Sequence, residues 1–356
     1  MPSIIDFSQL TFGRDQIRDM NELVVEKVLE APLLNTFTTF YTGIKNDREI
    51  GIIAASFGLI GKAAQGCNPV ADVKHLAITP KLWSPKRIEV ILDECAADLE
   101  NSIAKFARNC GIDVNDLTGT EYFAYLLDVL QKDIISMIFR YSWFGDTAAA
   151  LWNASPAGKL TTGVDPAYFN VLDGYWKQLA AIYAADPLRR TTLAANAEAT
   201  RALQFSTLTP ALALAALNQL VDDAPEVLAE QPDQIILTTK SIAQKAMREL
   251  QRLGTPFKIE LQTSGIQLTE WDGIQMMVLP MWDYLIKAYQ NNGTKLNSPH
   301  RALLTTKSNL AIGMECTSLF DRINSFYDQK SRINRMEASD AFDMKILDDK
   351  IVQVLI

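Results

Sequence analysis

Apolar residues recur at three- and four-residue spacing through Phe123, Leu126, Leu127, Leu130, Ile134, Met137, Ile138 and Tyr141, which lays one continuous stripe along a helix. Thr118 and Glu121 have the T-x-x-E spacing of a capping box, and Gly145 stands where a helix C-cap belongs. The stretch Thr118–Gly145 therefore predicts one rod of roughly 40 Å, at about 1.5 Å per residue. Asp128, Lys132, Asp133 and Arg140 make its other side wet, which excludes a membrane span and predicts a buried spine on which other elements lean.

On either side of that rod the pattern changes. Asp15 to Glu30 predicts a short amphipathic helix stopped by Pro32, and Asn35 to Ser84 turns to Thr, Gly and β-branched residues with weak periodicity. Lys45, Asn46 and Asp47 read there as a turn between extended arms. With Gly43, Gly51, Gly58, Gly61 and Gly66 spread along it, this stretch predicts a long extended excursion completed by something outside itself. Arg87 to Asp93 reads as a strand running into a helix that ends near Cys110-Gly111.

After the rod, Asp165 as N-cap, Pro166 at the first helical position and Asp186-Pro187 at the end predict a second helix. Its stripe of Phe169, Leu172, Tyr175, Trp176, Leu179 and Tyr183 reads as core. Leu188 to Phe205 predicts a third helix, and Thr209-Pro210 starts a fourth that Pro225 stops. From Gln234 the texture is mixed α and β: strand IILTT, helix Ser241 to Leu253 ended by Gly254, strand Phe257 to Leu261, a Thr263-Ser264-Gly265 turn, a Trp271-Asp272-Gly273 turn, and the apolar strand IQMMVL up to Pro280. Beyond Asn291-Asn292-Gly293, the runs RALLTT, RINRMEA, DAFDMKIL and IVQVLI read as strands, with Asp348-Asp349 as a turn. Leu237 to Ser241 and Leu304 to Ser308 echo each other as LTTKS, which is one echo and not a repeat.

With 356 residues, 48% of them hydrophobic, the chain can bury a large core. A formal charge of −8 with no basic cluster longer than Arg189-Arg190 argues against a surface built to neutralise phosphates. The N-terminal residues lack the basic, apolar and small-residue segments of a secretory leader, which predicts a chain made in the cytoplasm. Cys67, Cys95, Cys110 and Cys316 are scattered, and only His75 and His300 are present, so no zinc site, cofactor or nucleophile–histidine pair is expected. Gly58, Gly61 and Lys62 fail as a phosphate loop, because Ser56 stands at the first glycine position and Ala63 replaces the magnesium-holding Ser/Thr. Asp222-Asp223 and Asp348-Asp349 read as solvated loop ends, and the chain is not expected to be an enzyme.

The order of parts, together with Gly43-Ile44-Lys45, Trp83-Ser84-Pro85-Lys86, Phe169 to Lys177 (FNVLDGYWK) and His300 to Gly313 (HRALLTTKSNLAIG), resembles the major capsid proteins of tailed double-stranded DNA bacteriophages, and those of Bacteroides-type gut phages in particular. The resemblance covers nearly the whole chain. It implies an α+β Hong Kong 97-type fold with an N-terminal arm (1–35), an extended E-loop (36–92), the spine helix and first part of a peripheral domain (93–224), an axial domain (225–299) and the C-terminal peripheral strands (300–356). It also implies hexamers and pentamers closing an icosahedral shell around DNA, in a virion assembled in a bacterial host. Ile44, Lys45, Asn46, Asp47 and Trp83 are then the candidate inter-subunit loop residues. The chain departs from larger members of that family in lacking a charged helical N-terminal scaffolding segment, so the resemblance implies a separate scaffolding protein, along with a portal and decoration or head-completion proteins. Two competing readings are an encapsulin-like compartment shell and an uncharacterised enzyme with its site in 225–299.

Overall fold

The stripe from Leu126 to Tyr141 does form one helix. In the computed structural model, which describes residues 34–44, 49–56, 75–95, 116, 121–154, 158–254, 259–261, 267–315 and 323–356, it is preceded by four strands. These are β1 (Thr39–Thr42), β2 (Glu49–Ser56), β3 (His75–Leu82) and β4 (Lys86–Cys95), and the helix itself is α1 (Glu121–Phe144). Leu126, Leu130, Ile134, Ile138 and Tyr141 are buried, while Asp128 and Lys132 pair in solvent at 3.0 Å. In its last turn the helix is engulfed on all sides, with Phe139, Ser142, Trp143 and Phe144 buried as well. The Thr118–Glu121 cap, the helix Asp15–Glu30, the segment near Cys110 and the Thr263–Gly265 turn lie outside the described residues.

The second expected helix divides in two. Asp165 does cap a turn, accepting from the Ala167 N–H at 2.9 Å, but that turn is a 3-10 helix, Pro166–Tyr168, and helix α2 begins only at Tyr175 and runs to Ala185. Between them the backbone bonds across to the end of α1: Asp146 N–H to Phe169 O (2.8 Å) and Gly174 N–H to Gly145 O (2.9 Å). Gly174 makes that approach possible, since a Cβ there would lie 2.5 Å from the Tyr141 carbonyl oxygen and 2.7 Å from that of Ser142.

The third expected helix is also broken. Pro187–Arg189 is a 3-10 turn, followed by the two-residue strand β5 (Arg190–Thr191), α3 (Ala194–Ala197) and α4 (Arg201–Thr207). Helix formation loses here because the backbone is recruited by the end of the chain, with Leu193 N–H bonded to Ile356 O at 2.9 Å. Beyond α4 come α5 (Pro210–Asp222), α6 (Glu226–Ala229), β6 (Gln234–Thr238), α7 (Lys240–Arg252), β7 (Ile259–Leu261), β8 (Gln267–Trp271), β9 (Ile274–Val278), α8 (Pro280–Tyr289), β10 (Ala302–Thr306), β11 (Leu310–Met314), β12 (Ile323–Asp328), β13 (Ile333–Ile346) and β14 (Gln353–Leu355), of which α6, β8, α8, β11 and β12 were not expected and β13 joins two expected strands into one. Asp272 and Gly273 both take positive φ, 49° and 76°, and close the β8–β9 hairpin.

Seven strands form a mixed sheet in the order β5-β14-β10-β6-β9-β8-β7. Successive side chains enter different cores, as the two-residue strand period requires. Ile235, Leu237, Met277 and Leu303 join the cluster around α1, α2 and α8, whereas Ile236, Met276, Val278 and Leu304 join the one against α5 and α7. Covering on both faces is why these strands read as unbroken apolar runs. The LTTKS echo takes structural form here: β6 and β10 are antiparallel neighbours, and each leaves the sheet through a hydroxyl pair, Thr239–Ser241 at 3.2 Å and Thr306–Ser308 at 3.1 Å, into a helical turn. A second sheet is organised by β13, which pairs with β4, β11 and β12.

Candidate assembly site

Among the described residues β2 and β3 pair only with each other, in register from Glu49↔Leu82 to Ser56↔His75, as a ribbon separate from both larger sheets. Its root is fixed to the second sheet at both ends. On the entering side β1 runs parallel to β11, Gly43 turns the chain at φ +68°, and Ile44 N–H bonds Met314 O at 3.1 Å. On the leaving side Lys81 Nζ donates to Ile346 O and to Asp349 Oδ1, each at 2.6 Å, and the Ser84 N–H donates to Asp343 Oδ2 at 2.7 Å.

Between the two ends, Ile44 and Trp83 pack on Ala311, all three at most 1% exposed, and the Tyr41 ring stands 6.0 Å from that of Trp83. Gly313 makes room for them: a Cβ there would lie 2.5 Å from Ile44 Cδ1 and 2.8 Å from Trp83 Cζ3. Of the candidate residues, Ile44 and Trp83 are thus brought together at the root with their side chains inside the subunit, and Lys45, Asn46 and Asp47 lie outside the described residues. Gly313, Lys81 and Asp343 were not anticipated. In the sequence Gly313 shows only as the end of the stretch His300 to Gly313, inside an otherwise apolar run.

The root is joined to an aromatic hub at the end of α1. Trp143 meets Trp282 of α8 at 4.5 Å, Tyr175 at 5.0 Å, Trp176 at 5.9 Å and Phe37 at 6.0 Å between ring centroids. Tyr175 carries the link, its hydroxyl donating to Ala311 O at 3.0 Å; burial raises the phenol well above its ordinary value, so it stays a donor. Gln178 of α2 adds two bonds to β13, donating to Met344 O (2.7 Å) and accepting from Ile346 N–H (3.0 Å).

Two buried titratable groups, His300 and Asp283, brace neighbouring elements. His300 is fully buried with Nδ1 2.7 Å from Ser241 Oγ and Nε2 3.0 Å from the Gln204 carbonyl oxygen. A carbonyl only accepts, so Nε2 carries the proton and Nδ1 accepts from the serine hydroxyl. Burial lowers this imidazole to about 4, which keeps it neutral. In 225–299, the Asp283 carboxylate is raised by burial and accepts the Lys240 N–H at 2.8 Å, holding the start of α7. Among the described residues no cluster of three or more His, Cys, Asp or Glu could hold a metal, and no helix is long and apolar enough to cross a membrane.

No protein-family model and no curated protein matches the chain. Solved structures do match it over nearly all of its length. A chain of Gordonia phage Cozz superposes with a TM-score of 0.52 at 11% identity, covering 96% of this chain and 91% of its own. A chain of Mycobacterium phage Ogopogo gives 0.50 at 12% identity, covering 99% of both. The fold is of the α+β Hong Kong 97 type.

Proposed function

We propose that this chain is a shell-forming structural protein, the major capsid protein of a tailed double-stranded DNA bacteriophage, and that it assembles with copies of itself as hexamers and pentamers into a closed icosahedral head. The observation that carries this reading is the β2–β3 ribbon. A two-stranded ribbon standing apart is marginal in water, yet this one has a root clamped by Ile44, Trp83, Lys81 and Ser84. A stiff base under a ribbon whose strands pair with no further strand among the described residues suits an arm whose partner is a neighbouring subunit, through strand edges and side-chain burial.

In this reading 1–35 is the N-terminal arm, 36–92 the E-loop, 93–224 the spine and first peripheral part, 225–299 the axial domain and 300–356 the peripheral strands. Ile44 and Trp83 set the angle at which the loop leaves the subunit, and Lys45, Asn46 and Asp47 lie on the loop itself. The charge of −8 suits a wall that encloses DNA without gripping it. A scaffolding protein, a portal and decoration or head-completion proteins are its proposed partners, with assembly in the bacterial cytoplasm and residence in the virion. The role is structural, with no catalytic step. Size-exclusion chromatography with light scattering tests it: capsomers or megadalton particles are expected, and a strictly monomeric chain over all concentrations and with a co-expressed scaffold would refute it.

A further inference from the structure

A cavity of about 490 Å³ opens between the end of α1, α2 and the loop that leads into β10. Four cationic side chains line it, Lys159, Lys177, Arg190 and Arg301, against one acidic side chain, Asp146. That carboxylate is already engaged by Lys177 at 2.9 Å. In a chain that is acidic overall, this local excess of positive charge runs against the average.

Arg301 is the member that most needs a counter-charge. It is 4% exposed, and its Nε and Nη2 donate to Ser298 O (2.8 Å), Asn297 O (2.8 Å) and Gln290 Oε1 (3.1 Å), all neutral acceptors. Its guanidinium carbon lies 5.0 Å from the Trp176 ring and 5.5 Å from that of Phe144. No acidic side chain among the described residues forms an ion pair with it. Neutral carbonyls satisfy its hydrogens without balancing its charge, and an uncompensated buried charge is costly. Burial lowers this guanidinium to about 10, and the Lys159 ammonium, which solvent still reaches, is lowered first by partial burial and then by the charges of Arg301 and Lys177. Ile356 also borders the cavity, and its main-chain oxygen accepts the Leu193 N–H.

We propose that this cavity is a binding site for a phosphate-class oxyanion, with Arg301 and Lys159 as its main contacts and Lys177 and Arg190 at its rim. The bonds inside the protein use Nε and Nη2 of Arg301 and leave Nη1 for the ligand, and a planar guanidinium matches an oxyanion better than a point charge does. The volume lies in the range of roughly 300–1,000 Å³ typical of small-molecule sites, so a phosphate ester with a small organic part also fits. The site lies within one subunit and goes beyond the shell reading, so it stands or falls whether or not shells form.

Isothermal titration calorimetry with inorganic phosphate and with pyrophosphate, at constant ionic strength, tests it. Saturable binding is expected in the wild-type protein. Lys159→Gln should weaken it about tenfold, the worth of one charge-assisted hydrogen bond. Its melting temperature without ligand should be unchanged or raised, since a repelled cation has been removed. Arg301→Lys, which keeps the charge but loses the fork, should weaken binding as well. Absence of saturable binding up to about 10 mM would overturn the proposal. Equal affinity in Lys159→Gln, or acetate binding as tightly as phosphate, would do the same.

Discussion

Gly174 and Gly313 are places where a methyl group has no room, one under the end of α1 and one under the hairpin root. Gly313→Ala should cost about 1–3 kcal/mol, the usual range for overpacking, read as a lower denaturant midpoint at unchanged slope. Gly163→Ala is the contrast: nothing lies within 4 Å of a Cβ there, and only its φ of +92° penalises the change. Neither glycine could be told from its neighbours by sequence, because a close approach belongs to the partner that arrives. Ile44 and Trp83 were legible as members of distinctive stretches, and their burial against Ala311 was not.

His300 makes a pH dependence at the same scale. Its folded value, about 4, lies below the ordinary 6.5, so the unfolded chain takes the proton first. Its contribution is whole above pH 6.5 and is lost as pH falls toward 4, amounting to about 2 kcal/mol between pH 6.5 and 5. Denaturant unfolding at pH 7.5, 6 and 5 should show this decline in the wild-type protein and a shallower one in His300→Gln. Parallel slopes would mean that His300 is protonated in the folded chain.

At the scale of elements, α1 was readable because its stripe keeps one period and Leu126, Leu130, Ile134, Ile138 and Tyr141 of that stripe are buried, whereas Leu127 and Met137 are only partly so and the burial of Phe139, Trp143 and Phe144 off the stripe was not foreseen. Leu130→Asp or Ile134→Asp should abolish soluble folding, since either buries an unpaired charge at several kcal/mol against a total stability of about 5–15. Asp128→Ala, which removes only an exposed ion pair with Lys132, should stay within about 0.5 kcal/mol. Thermal melts of the three variants decide whether the helix faces are assigned correctly. The elements that sequence misjudged fail for tertiary reasons. The helix after Pro166 is interrupted because residues 169–174 bond to Gly145 and Asp146, and the stretch after Leu188 is drawn into a sheet edge by β14. The strand IQMMVL does stop before Pro280, but Pro280 also opens α8, a helix that was not expected. RINRMEA and DAFDMKIL are one strand of 14 residues, and its buried positions include Asn334 and Asp340, which break the apolar alternation that would have revealed it.

For the whole molecule, periodicity supplied the spine and most strands of the seven-stranded sheet, and the Hong Kong 97-type arrangement was visible through the order of parts and four short stretches. The β2–β3 ribbon was legible as an extended excursion, since its glycines and weak periodicity already pointed outside its own core; its root was not, since that depends on β11, β13 and Asp349 far along the chain. Under the proposed function the ribbon is the part that should separate folding from assembly. Replacing residues 46–79 with a short Gly/Ser linker keeps Ile44, Lys81, Trp83 and Ser84 and should leave the melting temperature close to wild type. In the proposed shell it removes an arm that would bury part of an interface of roughly 800 Å² per partner, at every position of the lattice. Electron microscopy of the wild-type and shortened proteins, prepared side by side, tests this most directly: closed shells from the wild type and folded, unassembled subunits from the shortened chain are expected, whereas normal shells from the shortened chain, or none from either, would contradict it.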